Sequence, residues 1–586
     1  MMSLDRVESR LVHEMGCTSR SDPSLSLAKQ WLESCLTQHQ PRLTTEFFPD
    51  RVLDVGSKGE PNIALRSSPW TAECLLPYAT LSYCWGATEH LKLQAGTMQK
   101  FQDGISLTEL PKTMQEAIEL TRELDLRFLW IDSLCIVQDS VDDWRAQSSM
   151  MGSIYQNAYI NIAAASSKDS TGGLFFDRDP KSVQPVHVRC HIPFEDRDSP
   201  GKFCAIRPLR TFAEMEHDMP LKSRAWAMQE RLLAPRTLYC TKGQLLWECE
   251  HMWANESHPQ GMESQFSTKP GFFRHMLTRL ASAAPDAIGS ERVEFEADAA
   301  WLYIVQDYSA CKLTKDEDIL IAISGLAKEW AKARPDDYLA GIWKNSITDG
   351  LLWHIEAKTP GLWHGEPCPT WRAPSWSWAS FKGAVAWSSS SFMQKTINGH
   401  ATRKDLLELI DIDLQKASVD ETGQLLSGSL TVRAPLLECF IADMHIQRGM
   451  DLQINHGPRA RPFFMCPDND LKKLYQGYCI FDSVQRIAKL HEEKYVQDMK
   501  CIPIVSQYIA EQGTQDGSLD ISIQVEGILV KEEDDERVSL RGWKRIGYFI
   551  VFRLVGHLEI QESQVDWEVH LGTSQEMILI CVTAEV

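Results

Sequence analysis

Between residues 78 and 165 the chain alternates short apolar runs with amphipathic stretches, and this β-α-β-α-β order constrains the fold more than any other feature. "YATLSY" reads as a strand. "PKTMQEAIELTRELDL" then sets Met114, Ala117, Ile118, Thr121 and Leu124 on one helical stripe behind Pro111, a residue suited to a helix start. "RFLWI" is a continuous apolar strand, "DDWRAQSSMMGSIYQNA" puts Trp144, Met151, Ile154, Tyr155 and Ala158 at helical spacing, and "YINIAAAS" supplies a third strand. Short apolar strands joined by helices predict a parallel sheet covered by those helices. In such a sheet ligands gather beyond the carboxyl ends of the strands. There the sequence places Ser82, Tyr83, Asp132, Gln138 and Asp139.

A chain of 586 residues is long enough for two or three structural units. Residues 1–70 read as a lead-in carrying one helix, "SLSLAKQWLESCLTQH", and residues 75–250 hold the alternating pattern. Residues 251–400 are mixed, with helical stripes in "DEDILIAISGLAKEWAKA" and "PDDYLAGIWKNSITDGLLWHI". "PSWSWAS" reads as a strand with Trp376 and Trp378 on one face. Within the middle region, "KSRAWAMQERLLAPR" is a helix stopped by Pro235, and "TLYCTKGQLLWECE" is a hairpin turning at Lys242 and Gly243. From 401 to 586 the period-two runs "GSLTVRAPL", "SLDISIQVEGILV", "YFIVFRLV" and "EMILICVTAEV" predict a β-rich part.

The formal net charge of -20 excludes a bare nucleic-acid-binding or anionic-membrane surface and favours small-molecule or protein partners. No run reaches the ~18 apolar residues of a membrane span, and the charged N-terminus lacks a signal-peptide core. The expectation is a soluble cytoplasmic protein. The 16 cysteines include no CxxC pair. His187, Cys190 and His191, with Cys249 and His251 farther on, come nearest to a metal cluster, but no second pair stands at ligand spacing. No metal or cofactor is expected, and most thiols read as reduced and buried, Cys84 and Cys135 among them. Glycine-rich dinucleotide, Walker A, G-x-S-x-G and H-E-x-x-H motifs are all missing, which removes the ordinary enzyme classes built on them.

"YATLSYCWG", the long run from "LPKTMQEAIELTRELDLRFLWIDSLCIVQDS" to "STGGLF", "SRAWAMQERLLAPRTLYCTKGQLLWEC" and "APSWSWAS" together resemble the fungal heterokaryon incompatibility domain family. The resemblance covers roughly residues 78 to 250, with a weaker tail to about 385. It implies an intracellular effector of fungal self/non-self recognition and regulated cell death. It also implies a distant relation to Toll/interleukin-receptor-like domains, whose flavodoxin-like parallel sheet in some members hydrolyses NAD.

Asp132, at the end of "FLWI", and Asp139 are the candidate catalytic acids, as general base or ribose anchor. A cap on the following turn is the competing reading for each. Ser82, Tyr83, Trp85, Gln138, Gln147, Arg224 and Glu230 are the candidate substrate-binding residues, with Arg224 as a clamp on phosphate or as an interdomain ion pair. Trp130 and Trp144 read mainly as core. Where the family often has "DWxxE", this chain has "DWRAQ", so Gln147 replaces the carboxylate that would stabilise a ribosyl cation. Three readings therefore stand: hydrolysis of NAD or a related nucleotide, a non-catalytic module that self-associates, or an enzyme of fungal secondary metabolism acting on a small organic substrate.

Overall fold

The computed structural model describes residues 2–6, 16–39, 47–70, 76–182, 186–190, 202–208, 219–261, 272–282, 291–356, 365–388, 396–397, 400–401, 403–417, 420–441, 460–465, 475–481, 499–512, 519–535, 540–558 and 574–579. They fall into two compact units, Met1–Leu277 and Thr278–Val586. In the first unit, among the described residues, nine strands form one mixed sheet. In chain order these are β1 (Arg51–Asp54), β2 (Asn62–Ser67), β3 (Tyr78–Ser82), β4 (Ile105–Ser106), β5 (Phe128–Trp130), β6 (Ile160–Ala163), β7 (Arg236–Cys240), β8 (Leu245–Cys249) and β9 (Trp253–Asn255).

Their order across the sheet is β9-β8-β7-β6-β3-β5-β1-β2-β4. The middle is parallel: β3 pairs with β5 (Tyr78 opposite Phe128) and with β6 (Ala79 opposite Ile160), and β6 pairs with β7. Every residue of β3, β5, β6 and β7 is buried, as strands covered on both faces require. Antiparallel strands extend both edges, so β1 and β2, from a segment read as lead-in, belong to the same sheet. The expected α/β architecture and the strands at 78, 128 and 160 are thus borne out.

The helices that accompany this sheet, up to residue 233, are α1 (Asp22–Ser34), α2 (Met98–Asp103), α3 (Lys112–Glu123), α4 (Asp132–Cys135), α5 (Val141–Gln156) and α6 (Ala225–Leu233). Ser140 caps α5 by accepting the Asp143 amide at 3.2 Å, and Asp142 and Asp143 in the first turn suit the positive end of the helix dipole. α6 ends at Leu233, just before Pro235, and β7 and β8 form the expected hairpin through Lys242 and Gly243.

Helix α1 is fastened against β8 by Trp31 on Trp247, ring centroids 6.3 Å apart. A buried ion pair stands beside them. The Arg178 and Glu256 side chains are 2% and 0% exposed, Ser24 bonds both, and Glu256 accepts the Leu245 amide at 2.8 Å.

The second unit holds a cluster of fully buried tryptophans, Trp301, Trp330, Trp343, Trp353, Trp376 and Trp378, and a ten-stranded sheet among its described residues. The sheet includes Leu425–Pro435, Leu519–Asp535 and Leu540–Leu558, as the period-two runs predicted. Two expectations fail here for local reasons. "PSWSWAS" is a turn leading into a 3-10 helix, Trp378–Ser380, because the Ser377 hydroxyl accepts the Ala379 amide and donates to the Ala340 carbonyl instead of leaving the backbone to a strand. "PDDYLAGIW" is a hairpin, Tyr338–Leu339 with Ile342–Trp343, since Ala340 and Gly341 hold φ of 50° and 97°, the two-positive turn that joins paired strands. A side chain on Gly341 would also strike the Trp378 indole. No helix among the described residues is long and apolar enough to cross a membrane. The metal reading of His187, Cys190 and His191 concerns side chains outside the described residues.

Glu256→Gln strands the Arg178 guanidinium in the interior, so the opening free energy of the α1 and Leu245 amides should fall by about 3 kcal/mol. Native-state hydrogen exchange measures this; unchanged protection would show that the pair does not fasten α1.

Candidate functional site

The connection leaving β3 for α3 and β5, and the one leaving β6 for α6 and β7, run to opposite sides of the β3–β6 boundary. That boundary is the switch point at which an open α/β sheet leaves a crevice beyond its strand ends. Four segments meet there: residues 83–93 after β3, 131–140 after β5, 164–173 after β6, and the N-terminus of α6. Gly86 shows how closely they meet. Its φ is +71°, and a side chain there would lie 2.3 Å from the Asp169 Cβ of the loop after β6.

Asp132 opens α4 and accepts two bonds, from the Trp85 indole at 2.8 Å and from the Ser133 amide at 2.7 Å. Asp132 is the first residue of α4, whose N-cap residue is Ile131, so its carboxylate serves the crevice and the adjacent Ser133 amide and not as the helix cap. The Tyr83 hydroxyl donates to Ser133 at 2.8 Å behind it. The His90 ring stands edge-on to Trp85 at 5.7 Å, and the Lys92 ammonium lies 5.1 Å from the Trp85 ring centroid, so the indole carries a cation on one side. Arg224, the N-cap residue of α6, donates to the Tyr83 carbonyl, and its charge acts on Asp132 and on Glu230. It forms no ion pair within contact distance among the described residues, which leaves guanidinium N–H groups available to a ligand.

Beneath this rim is a buried layer. Glu230 is 3% exposed and lies beside Ser82 and Tyr155; its Oε2 has no hydrogen-bond partner among the described residues. The Asn161 Oδ1 accepts from both Thr80 and Ser82 at 3.1 Å, while its amide nitrogen is unpartnered among the described residues. Burial pushes the Glu230 carboxyl up to about 7, against the pull of Arg224 and the Ser82 hydroxyl and with the help of Asp132. Burial also raises Asp132, opposed by Arg224, Trp85 and the Ser133 amide. Two carboxyl groups and one arginine thus share a poorly hydrated crevice, an arrangement suited to acid-base work and to an anionic ligand.

The structure brings together Ser82, Tyr83, Trp85, Asp132, Arg224 and Glu230. The other candidates lie apart. Asp139 is exposed and accepts the Ala95 amide at 2.9 Å, fastening the loop before α2. The Gln138 amide is spent on the Asp132 and Ile136 carbonyls. Gln147, 2% exposed, donates to Asp50 at 2.9 Å beside the Arg51–Asp143 ion pair. Trp130 is fully buried against Tyr155, and Cys84 and Cys135 are buried with their thiols raised by that burial, Cys135 to about 12. Sequence reasoning missed Ser133, Lys92, Asn161, Asp169 and the site role of Tyr155. Asn161 alone left a signal, as a polar residue within an apolar strand.

A cleft of about 650 Å³ at the opposite end of the sheet is lined by Asp54, Arg66, Arg122 and Arg127. Its cations are already engaged: Arg127 and Arg66 with Asp54, and Arg122 with the Val55 carbonyl. Among the described residues, none of its lining groups is a buried polar atom without a partner.

Residues 78–230 match the family described as Heterokaryon incompatibility protein (HET). This segment is a heterokaryon incompatibility domain. Neither a curated protein nor a solved structure matches the chain. The matched segment begins at the first residue of β3 and ends on Glu230, so the heterokaryon incompatibility domain contains every residue of the crevice named above.

Because Glu230 is raised from 4.5 to about 7, its contribution to stability is complete below pH 4.5 and is lost as pH rises through 7. Glu230→Gln, which keeps the neutral shape, should match the parent protein near pH 4.5 and be more stable by about 3 kcal/mol at pH 8. Urea unfolding at the two pH values reads this difference; equal stabilities at pH 8 would mean that Glu230 is solvated in the folded state.

Proposed function

We propose that the protein is a heterokaryon-incompatibility-type effector, connected with regulated cell death in fungal self/non-self recognition, whose crevice cleaves the nicotinamide from NAD or a related nucleotide. The domain match supports the first part. The single observation that carries the second is the convergence of Asp132, Arg224 and Glu230 at the switch point, with the Trp85 ring above them. The parallel strands run β5-β3-β6-β7 across the sheet, second-first-third-fourth along the chain, which is the order of flavodoxin-like sheets and favours the Toll-like relation.

In this reading Arg224 offers its guanidinium N–H groups to the pyrophosphate at the α6 terminus, where anions are favoured. A planar base stacks on Trp85. Cleavage breaks the bond between the ribose anomeric carbon and the nicotinamide nitrogen, which takes the electron pair and leaves neutral. The Asp132 carboxylate faces the positive ribose and, when water adds, accepts its proton. Glu230 is a positioning residue whose charge sets how Arg224 and Asp132 are held. Asp139, spent on the Ala95 amide, has no part in the reaction.

Purified protein incubated with NAD and NADP should release nicotinamide, followed by chromatography. Asp132→Ala should lower the rate by about a hundredfold or more, within the range of a general base, whereas Asp139→Ala should retain it within a few-fold. No nicotinamide from the parent protein, including under crowding that promotes assembly, would overturn the catalytic reading. One observation favours the non-catalytic, self-associating module: Gln147 is neutral and packed on Asp50. That reading predicts assembly without turnover.

A further inference from the structure

The segment after β3 carries a cation that the chemistry above leaves without a task. Lys92 holds its ammonium 5.1 Å from the centroid of the Trp85 ring, and it forms no ion pair among the described residues. With 80 acidic residues to 60 basic ones, the chain has carboxylates in excess, yet this ammonium rests on an indole face.

The backbone fixes where it stands. The next residue, Leu93, is 0% exposed, donates its amide to the Ser133 carbonyl at 2.9 Å and accepts the Gln138 amide at 2.9 Å. Two residues on, the Ala95 amide is held by Asp139 at 2.9 Å. Residues 93–95 are thus pinned to the loop after β5, the loop that begins at Asp132. Trp85 joins the two charges: its indole N–H donates to Asp132 at 2.8 Å while its ring carries Lys92. One aromatic side chain therefore has an anion at its edge and a cation on its face.

In the cleavage proposed above, on which this inference rests, charge moves. The oxidised nicotinamide ring begins as a pyridinium cation. When the bond from its nitrogen to the anomeric carbon breaks, the nitrogen keeps the electron pair and the ring leaves neutral. The positive charge passes to the ribose until water adds and its proton goes to the Asp132 carboxylate. The ring is one covalent bond from the carbon that Asp132 faces, and Asp132 is bonded to Trp85, so the base stacked on Trp85 is the nicotinamide.

We propose that Lys92 is a positioning residue that acts through Trp85. Its ammonium opposes the pyridinium of the bound nucleotide and favours departure of the neutral ring, while Asp132 favours the cation on the ribose. The substrate class that follows is an oxidised nicotinamide nucleotide, whose reacting base is itself a cation. Stacked rings have centroids about 4.5–7 Å apart, which puts the pyridinium within about 12 Å of the ammonium. At that distance in a poorly hydrated crevice, the repulsion is worth about fivefold in affinity.

Calorimetric titration of the full chain at low ionic strength, where these charges are least screened, compares two ligands. Carba-NAD keeps the cationic nicotinamide but has a carbocycle in place of its ribose and is not cleaved; NADH has a neutral nicotinamide. Lys92→Met should bind carba-NAD about fivefold more tightly than the parent protein does and NADH equally well, and Lys92→Arg should behave as the parent. In turnover, Lys92→Met should lower kcat and KM for NAD together. An unchanged ratio of the two affinities in Lys92→Met would overturn the proposal and leave the nucleotide site standing. Weaker binding of both ligands to Lys92→Met would make Lys92 a phosphate contact and overturn it as well. No binding of either ligand to the parent protein would remove the nucleotide reading itself, and this proposal with it.

Discussion

The structure depends first on the parallel pairing of Tyr78–Ser82 with strands on both sides, Phe128–Trp130 and Ile160–Ala163. A strand buried on both faces and hydrogen-bonded on both edges can keep a polar side chain only with a partner, as Asn161 serves Thr80 and Ser82, and leaves charged groups to the space beyond its end. The connections that leave β3 for β5 and β6 for β7 diverge there, and Tyr83, Trp85, Asp132 and Arg224 are gathered at that point. The heterokaryon incompatibility domain builds its crevice from this one constraint, and α6 closes it through the bond from Arg224 to the Tyr83 carbonyl.

Much of this was legible in the sequence. The three strands and two helices between 78 and 163 showed themselves because their apolar runs are short, continuous and bounded by Pro111, Asp132 and Ser140. The ends of the same runs pointed to Ser82, Tyr83 and Asp132. What was not legible depended on single backbone choices. Ala340 takes a positive φ, which composition does not announce, and the Ser377 hydroxyl captures an amide that strand periodicity assigned to a sheet. Strands β1 and β2 escaped notice because β1 joins the sheet by pairing Leu53 and Asp54 with Leu129 and Phe128 of a distant segment, and β2 joins it through β1. Asp139 and Gln138 had the right residue types one turn too far along, where the Ala95 amide and nearby carbonyls consume them. Asn161 is a site residue only because β6 pairs with β3 beside Ser82, whereas Glu230 was named from the sequence.

Two buried groups are held against their solvation preference, one near each end of the parallel core. Glu230 lies near the carboxyl ends and responds by keeping its proton to about pH 7. Arg236 opens β7 at the other end and cannot respond in that way; it donates to the Tyr159 carbonyl and lies beside the Tyr159 ring. Neither arrangement is what a chain selected for stability alone would choose, because apolar residues of similar volume would pack as well without the desolvation cost. The first lies beneath the crevice residues Tyr83 and Asp132, and the second at the start of β7 beside Tyr159.

The central claim is that a nucleotide occupies the crevice beyond β3 and β6. Hydrogen exchange of the full chain, with and without saturating ADP-ribose, tests it without requiring turnover. The account predicts slowed exchange in residues 83–93, 131–138, 164–173 and 219–224, and none around the cleft of Asp54, Arg66 and Arg127. Protection confined to that opposite cleft, or no protection anywhere at saturation, would contradict it.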